Sequence, residues 1–252
     1  MKFTKFFMFL SLSIAIASCK GKDPVPVVPV PVPEVLKKLD RTIFSDGRYY
    51  YYTYDSLGRR IKTDYNTGSS VGTTTYTYNG TTSITETNTS GGSALVITNF
   101  LDGNGLDFNS TYTFGNTQYQ IVREFNPDKT LARITEKSKA LTAANFTTTN
   151  DLGYNYDADK NLISIVDKLQ NNFKLTEYER DKQGKNTLGT EYAGTTWQGK
   201  SSVNPPKKVT STPLTGNPVV TIYTNTYDSK GYLTSSTTVS GSTTVTQTYS
   251  YK

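Results

Sequence analysis

A period of about 24 residues is the strongest feature of this sequence. Asp or Asn recurs at eight positions, separated by 24, 23, 24, 31, 24, 23 and 24 residues. The eight positions are Asp55, Asn79, Asp102, Asn126, Asp157, Asp181, Asn204 and Asp228. Because repeats of this length stack on their neighbours into one continuous body, the period predicts a single repeat domain.

Each repeat has the chemistry of a β-hairpin turn. Gly58 stands at the fourth position of the turn that Asp55 begins, and Gly231 has the same place after Asp228. The first Asp or Asn accepts hydrogen bonds from backbone amides two or three residues further on, and Gly tolerates the positive φ of a bulged turn. A second set of turns, centred on Gly or Asn, lies 12 to 14 residues after seven of the eight Asp or Asn positions. Each period therefore contains two strands.

The composition favours a thin, curved sheet over a thick two-layer core. Only 35% of the residues are apolar even with Tyr included, and the mean hydropathy is −0.51. The chain is rich in Thr, Ser, Val and Tyr, which suit a pleated, half-buried surface. Seven of the eight residues that directly precede a turn Asp or Asn are apolar or aromatic, so we expect one face of the sheet to be buried.

These patterns predict an all-β fold for residues 36–252. We expect an antiparallel meander of about 18 strands of roughly 7 to 8 residues, built from hairpin repeats and coiled into a spiral or partly closed shell. The one 31-residue step indicates a longer connection or a short irregular insertion at 137–150.

The N-terminus predicts the compartment. Lys2 and Lys5 lead into a twelve-residue apolar run at 6–17, which suits a signal peptide and is too short to span a bilayer. The run ends in Ile-Ala-Ser-Cys19, which resembles the bacterial lipobox, and Cys19 is the only cysteine of the chain. We therefore predict that residues 1–18 are a lipoprotein signal peptide and that Cys19 carries a lipid anchor.

Residues 19–35 contain the lipidated Cys and a proline-rich spacer. Five prolines between positions 24 and 33 favour an extended polyproline II conformation. In lipoproteins that this segment resembles, Asp directly after the Cys retains the protein on the inner membrane, and here the residue is Lys20. The resemblance implies a lipid-anchored protein of the outer membrane, with the periplasmic and the cell-surface face both open.

Three turns carry a fuller motif. They are Tyr54-Asp55-Ser56-Leu57-Gly58, Tyr227-Asp228-Ser229-Lys230-Gly231 and Tyr156-Asp157-Ala158-Asp159-Lys160. They resemble the YD repeats of Rhs and teneurin-like proteins, whose pattern is Tyr-Asp-x-x-Gly-Arg-Leu, over about residues 44–252. The chain also resembles small YD-repeat lipoproteins of Bacteroidota, a family of unknown function. The resemblance implies a continuous antiparallel ribbon that coils.

Catalytic chemistry has little support. The sequence has no histidine and one cysteine, which excludes Ser-His-Asp and Cys-His catalysis and His-based zinc sites. Two carboxylates suffice for a glycoside hydrolase, so a polysaccharide-degrading enzyme stays an alternative. Its candidate residues are Glu124, Glu136, Glu177 and Glu191.

Metal, cofactor and nucleic-acid partners are not predicted. Asp157, Asp159 and Asn161 match the start of a calcium loop, but Leu162 replaces its required Gly. The formal charge of +6 is spread along the chain rather than clustered, which argues against nucleic-acid binding.

Aromatic residues are the candidates for ligand binding. Tyrosines recur at i and i+2, so both rings of a pair project from one face of a strand. The candidates are Tyr52, Tyr54, Tyr76, Tyr78, Tyr154, Tyr156, Trp197 and Tyr227. The rings either pack inside the ribbon or form a platform on which sugars stack.

We therefore predict a non-catalytic binding module for a glycan or for a partner protein of the cell envelope. A purely structural envelope protein is a further alternative to the enzyme. A transmembrane barrel is disfavoured, because the expected strands are shorter than the roughly 9 to 11 residues that cross a membrane.

Overall fold

A computed structural model describes residues 36–171 and 173–252. The predicted signal peptide, Cys19 and the spacer lie outside the described residues. Sixteen strands follow one another around a single antiparallel sheet, and the first strand pairs with the last, so the sheet closes into a barrel.

The strands are 6 to 10 residues long. They are β1 Leu39–Phe44, β2 Tyr49–Tyr54, β3 Arg60–Asn66, β4 Val71–Asn79, β5 Ser83–Ser90, β6 Ser93–Leu101, β7 Asp107–Phe114, β8 Thr117–Phe125, β9 Leu131–Ala140, β10 Thr147–Tyr156, β11 Leu162–Asp167, β12 Phe173–Arg180, β13 Pro206–Ser211, β14 Val219–Tyr227, β15 Leu233–Ser240 and β16 Thr243–Tyr251. A short helix, α1 Thr190–Ala193, and a 3₁₀ turn at Thr196–Gln198 lie between β12 and β13.

The predicted antiparallel meander is confirmed, and the predicted spiral or partly closed shell is replaced by full closure. Thr42 of β1 pairs with Tyr249 of β16, and Tyr50 of β2 pairs with Thr42 from the other side. Closure is favoured because it removes the two sheet edges, whose backbone N–H and C=O groups would otherwise lack strand partners.

The strand count differs from the expected 18 because one period contains no strand. Between Asp181 and Asn204 the chain forms α1 and the 3₁₀ turn, and Gly194 caps α1 with a φ of 68° instead of turning a hairpin. The prediction for 137–150 was also wrong. The two 10-residue strands β9 and β10 take up most of the longer period, and only 141–146 connects them.

The Asp turns have the predicted hydrogen bonds from backbone amides to the Asp side chain, but the second amide lies four residues after the Asp and not three. The Asp55 Oδ1 accepts hydrogen bonds from the amides of Leu57 at 3.0 Å and Arg59 at 2.9 Å, which are two and four residues further on. Gly58 has a φ of 72°. Lys160 takes the same position after Asp157 with a φ of 65°, so a non-glycine residue also adopts this turn. These turns all lie at one end of the barrel.

Residues 181–205, which we call the plug, fold across that end. The Arg60 Nε on β3 donates to the carbonyl of Ala193 at 2.8 Å, and the Leu233 amide on β15 donates to the Thr187 Oγ1 at 3.2 Å. The Lys200 amide donates to the Lys129 carbonyl in the turn before β9, at 2.8 Å. Contacts from strands all round the circumference show that the plug covers this end, which we call the plugged end. The opposite end is the open end.

The plug also identifies the inner face of the barrel. Tyr54 on β2 and Tyr76 on β4 contact Tyr192 and Trp197 of the plug, respectively. Because side chains alternate along a strand, the residues two positions away share this inner face and the residues between them point outward. The inner face is therefore rich in tyrosine, and a small core of Leu39, Leu233 and Tyr249 lies on it.

The outer face carries polar and charged side chains together with exposed apolar ones such as Val96, Ile222 and Val239. Thr73, Thr75 and Thr77 of β4 point outward opposite Thr89, Thr87 and Thr85 of β5. Ion pairs cross the outer face, joining Lys62 to Asp64, Arg133 to Asp151, Lys174 to Glu177 and Lys208 to Glu179 at 2.7 to 3.0 Å. Among the described residues no helix is long and apolar enough to cross a membrane.

Candidate functional site

A cavity of about 490 Å³ lies on the inner wall formed by β2 to β5. It extends from the β3–β4 turn at the open end down to Arg60 beside the plug. Its lining residues are Tyr50, Tyr52, Arg60, Thr63, Tyr65, Thr67, Ser70, Thr74, Tyr76 and Asn88. A volume of this size lies within the range of small-molecule sites, about 300 to 1,000 Å³.

Three tyrosine rings on adjacent strands form one wall of the cavity. The rings of Tyr50 and Tyr52 are 6.5 Å apart and almost parallel, at 6°, and Tyr50 is 6.3 Å from Tyr65. The Tyr65 hydroxyl donates to the Asn88 Oδ1 at 2.8 Å. Tyr65 can lie across β4 because Gly72 faces it, and a Cβ there would be only 2.5 Å from the Tyr65 hydroxyl. The wall is therefore held in a defined conformation.

Arg60 is the charged residue of the cavity. Its guanidinium carbon lies 4.6 Å from the centre of the Tyr52 ring, within the distance of a cation–π contact. Its Nε donates to the plug at Ala193, as described above, and its backbone amide donates to the Gly194 carbonyl at 3.0 Å. The cation is thus fixed by the plug on one side and by an aromatic face on the other.

Burial affects the titration of the cavity walls. It is the largest cause of the raised pKa of Tyr52 and of Tyr76, and for Tyr76 the nearby Glu86 carboxylate raises the pKa further. Both phenols therefore stay protonated at neutral pH and can donate hydrogen bonds. The buried Thr63 Oγ1 has no hydrogen-bond partner within the described part of the chain, so a donor or acceptor remains unused in this wall.

Five of the seven predicted tyrosines divide into two groups. Tyr52 and Tyr76 line the cavity. Tyr54, Tyr78 and Tyr227 lie next to the plug and use their hydroxyls internally: Tyr54 donates to the Leu39 carbonyl at 2.6 Å, Tyr78 to the Arg60 carbonyl at 2.8 Å and Tyr227 to the Asp181 carboxylate at 2.6 Å. For this second group the packing interpretation is the better one.

The remaining predicted residues lie elsewhere. Tyr154 and Tyr156 are on the inner face of β10, six strands further round from β4. Trp197 is 6% exposed and packs in the plug, with its ring centre 6.5 Å from that of Tyr76. Of the two roles expected for Trp197, packing is the better one, because the segment that carries it folds into the barrel mouth.

The four glutamates of the enzyme alternative are spread over the molecule. Glu124 on β8 and Glu177 on β12 point outward and pair with Arg133 and Lys174. Glu136 is on the inner face of β9, where the Asn150 Nδ2 lies 3.5 Å from its Oε2. Glu191 is in the first turn of α1. They do not form a paired catalytic site.

Inner carboxylates that the sequence analysis did not single out lie on β5 and β7. Asp107 accepts a hydrogen bond from Ser110 at 2.9 Å and pairs with Arg123, while burial raises its pKa. Burial also raises the pKa of Glu86, which Arg60 and Arg123 oppose. Side chains alternate along β5, and the buried Ile84 points inward, so Glu86 two residues later also lies on the inner face. The same i, i+2 rule could therefore have identified Glu86 from the sequence.

The oxygen atoms of the calcium-like sequence have partners of their own. The Asp157 Oδ1 accepts from the Asn161 amide at 2.8 Å, and the Asp159 carboxylate pairs with Lys182 at 2.8 Å. Across residues 36–171 and 173–252, no group of three or more Asp, Glu, His or Cys side chains is arranged to hold a metal ion.

The comparisons with known proteins concern the fold. No protein-family model matches the chain, and no curated protein matches it. The chain is similar to a porin-like protein from Bacteroides uniformis, with 18% identity and a TM-score of 0.61 over 85% of this chain and 96% of that one. A porin-like protein from Bacteroides vulgatus gives 14% identity and a TM-score of 0.59 over 85% and 99% of the two chains. The resemblance to YD repeats stays a prediction, and the two similar solved structures support the closed antiparallel barrel.

Proposed function

We propose that this chain is a lipid-anchored protein of the outer membrane whose barrel binds a glycan without catalysis. The observation that carries the proposal is the tyrosine-lined cavity on the inner wall of β2 to β5. Flat aromatic rings stack on the apolar faces of sugars, and the surrounding hydroxyl and amide groups match the hydroxyls of a saccharide.

The plug makes the barrel a cup rather than a pore. It is held by backbone and side-chain hydrogen bonds to β3, β15 and the turn before β9. A ligand would therefore enter and leave through the open end. This arrangement suits retention of a bound molecule better than passage from one end to the other.

The charged residues of the outer face favour a barrel that lies outside the bilayer. Several strands have the 9 to 10 residues that can cross a membrane, so strand length alone does not decide the question. A membrane-spanning barrel presents an apolar outer band about 25 Å tall, and a Lys or Arg at the middle of that band costs about 2 to 4 kcal/mol. Here Lys62, Arg133 and Lys208 point outward from strand positions. The likeness to the two porin-like proteins therefore supports the fold alone.

The anchor would then hold the protein at the membrane. The described chain begins at Leu36, and the Lys38 amide donates to the Lys252 carbonyl at the plugged end, at 2.8 Å. The first described strand, β1, therefore begins at the plugged end, away from the open mouth.

Metabolic labelling with a fatty acid tests the anchor. We expect the full chain to incorporate label in a bacterial host that lipidates such proteins, and Cys19→Ser to incorporate none, because the thiol is the acylation site. Ser56→Ala, in an exposed turn, is the control and should label like the wild type. Equal labelling of Cys19→Ser would contradict the anchor.

Glycan-array binding by the full chain tests the cavity. Tyr50→Ala should weaken binding at least tenfold, about 1.4 kcal/mol, because it removes the central ring of the aromatic wall. Tyr51→Ala is the matched control, since Tyr51 is the next residue of the same strand, points outward and is 42% exposed. It should bind like the wild type.

Two results would oppose the proposal. If no glycan binds, the cup has another ligand, and crosslinking pull-down with an envelope fraction becomes the test of the partner-protein alternative. If Tyr51→Ala lowers binding as much as Tyr50→Ala, the glycan contacts the outer face. Turnover of a bound polysaccharide that one Glu86→Gln change abolishes would instead favour the enzyme alternative.

A further inference from the structure

The charge of the cavity carries information about its ligand. Of the ten lining residues, Arg60 alone is charged, and the others are tyrosines, Thr, Ser and Asn. We infer that the saccharide this cavity takes carries a carboxylate, as a uronic acid does, with Arg60 as its counter-charge. This inference rests on the proposed glycan function and specifies its ligand class.

Arg60 is arranged as a fixed binding group. An arginine has five N–H donors, and the Nε–H is taken by the Ala193 carbonyl at 2.8 Å. The four donors on the two terminal nitrogens belong to a planar group that matches the two oxygens of a carboxylate. Because Arg60 already rests on the Tyr52 ring, little side-chain freedom is lost when a ligand binds.

The tyrosines place the sugar ring beside this cation. Tyr52 contacts Arg60 and is almost parallel to Tyr50, so the cation and the two rings follow one line along β2 and β3. A uronic acid has a sugar ring with an apolar face, and its carboxylate is attached directly to C5 of that ring. Stacking of the ring on Tyr50 would direct its carboxylate toward Arg60.

Glu86 is the charge that opposes this arrangement. It pairs in register with Tyr76 on the same inner face, and its carboxylate interacts with Arg60. It is not one of the lining residues of the cavity. A bound carboxylate and Glu86 would both be attracted to Arg60 and would repel each other. Removing the charge of Arg60 should therefore weaken binding of an acidic sugar, whereas removing the charge of Glu86 should not.

Calorimetry with a matched pair of ligands tests the inference. The probes are trigalacturonate and its fully methyl-esterified form, which has the same sugar skeleton without the charge, and the protein is the full chain in detergent. We expect the wild type to bind the acid at least tenfold more tightly than the ester. Arg60→Gln should abolish that preference, so that the acid and the ester bind this variant with affinities within about twofold of each other.

Further variants separate charge from folding. Arg60→Lys keeps the charge and should keep part of the preference, while Glu86→Gln should bind the acid at least as tightly as the wild type does. Since Arg60 contacts the plug, the Trp197 fluorescence of each variant must match that of the wild type. If Arg60→Gln does not fold, the salt dependence of the wild type decides: the acid-to-ester ratio should shrink at high salt.

The outcomes distinguish the two levels of the proposal. Equal binding of acid and ester by the wild type, or binding of neutral glycans alone, overturns the uronate inference and leaves glycan binding intact. An unsulfated chondroitin oligosaccharide, which carries glucuronate, repeats the test on a second uronate with its own ester. Absence of binding to every glycan of the array removes the proposed function itself.

Discussion

Gly194→Ala should lower the free energy of unfolding by about 3 kcal/mol, and Gly115→Ala by about 1 kcal/mol. Both glycines have positive φ, 68° and 57°, so both substitutions strain the backbone. The difference arises from the surroundings. A Cβ on Gly194 would lie 2.7 Å from the Tyr54 ring and 2.8 Å from the Gly58 carbonyl oxygen, whereas Gly115 has nothing within 4 Å. The backbone contact cannot be relieved by a change of rotamer.

Urea unfolding followed by circular dichroism measures the stability of both variants. Trp197 adds a local readout, because it is the only tryptophan of the sequence and is buried in the plug three residues after Gly194. Its emission should shift to longer wavelength in Gly194→Ala and stay unchanged in Gly115→Ala. Equal losses of stability, with unchanged emission in both variants, would mean that the plug does not press on Tyr54.

The features that were predicted from sequence are those with local causes. Asp55 and Gly58 form their turn through hydrogen bonds that reach only two to four residues, so the sequence motif is enough to locate it. The inward alternation of Tyr52 and Tyr54 follows from the pleat of a strand. Repetition of these local rules along the chain gives the meander, its direction and the face that carries the rings.

The features that were missed depend on long-range contacts. A spiral and a closed barrel contain the same hairpins and differ in one strand pair, β1 with β16, in which Arg41 and Ser250 are 209 residues apart. The plug is fixed by contacts such as that of Arg60 with Ala193, 133 residues away. No local pattern in its glycine-rich sequence indicates where it docks.

The candidate site was only partly predictable for the same reason. Pairs at i and i+2 identified Tyr52 and Tyr76, and the same rule extends to Tyr50, which precedes Tyr52 by two residues. Which tyrosines remain free for a ligand depends on the plug, since it occupies the space next to Tyr54 and Tyr227. Arg60 joins the site because the plug holds its Nε and the cavity receives the rest of the guanidinium.

Raising the pH from 10 to about 12 should strongly destabilise the barrel. Tyr54, Tyr78, Tyr156 and Tyr251 each have a pKa raised from 10.0 to about 12, with burial as the largest cause. In this window the unfolded chain releases the phenol protons and the folded barrel keeps them. Their contribution to stability is therefore complete below pH 10 and is lost as the pH rises through about 12.

The size of the effect follows from the number of tyrosines. If solvent screening reduces each contribution to about 1 kcal/mol, the four together approach the lower end of ordinary protein stabilities, about 5 kcal/mol. The measurement is the urea midpoint at several pH values, together with the absorbance of tyrosinate, which should rise in step with the loss of β-sheet signal. A midpoint that stays constant up to pH 12 would contradict the burial of these rings.

Tyr78→Phe and Tyr251→Phe together attribute the alkaline loss to the tyrosines rather than to lysines. Tyr78→Phe gives up the hydrogen bond to the Arg60 carbonyl, and Tyr251→Phe gives up those to the Leu233 carbonyl and the Thr187 hydroxyl, so stability at pH 7 should fall by about 1 kcal/mol per hydrogen bond. With two titrating phenols removed, the loss between pH 10 and 12 should be visibly shallower. The double variant would thus be less stable than the wild type at pH 7 but would lose less stability between pH 7 and pH 12. Deprotonation of lysines cannot produce this difference, because both proteins contain the same lysines.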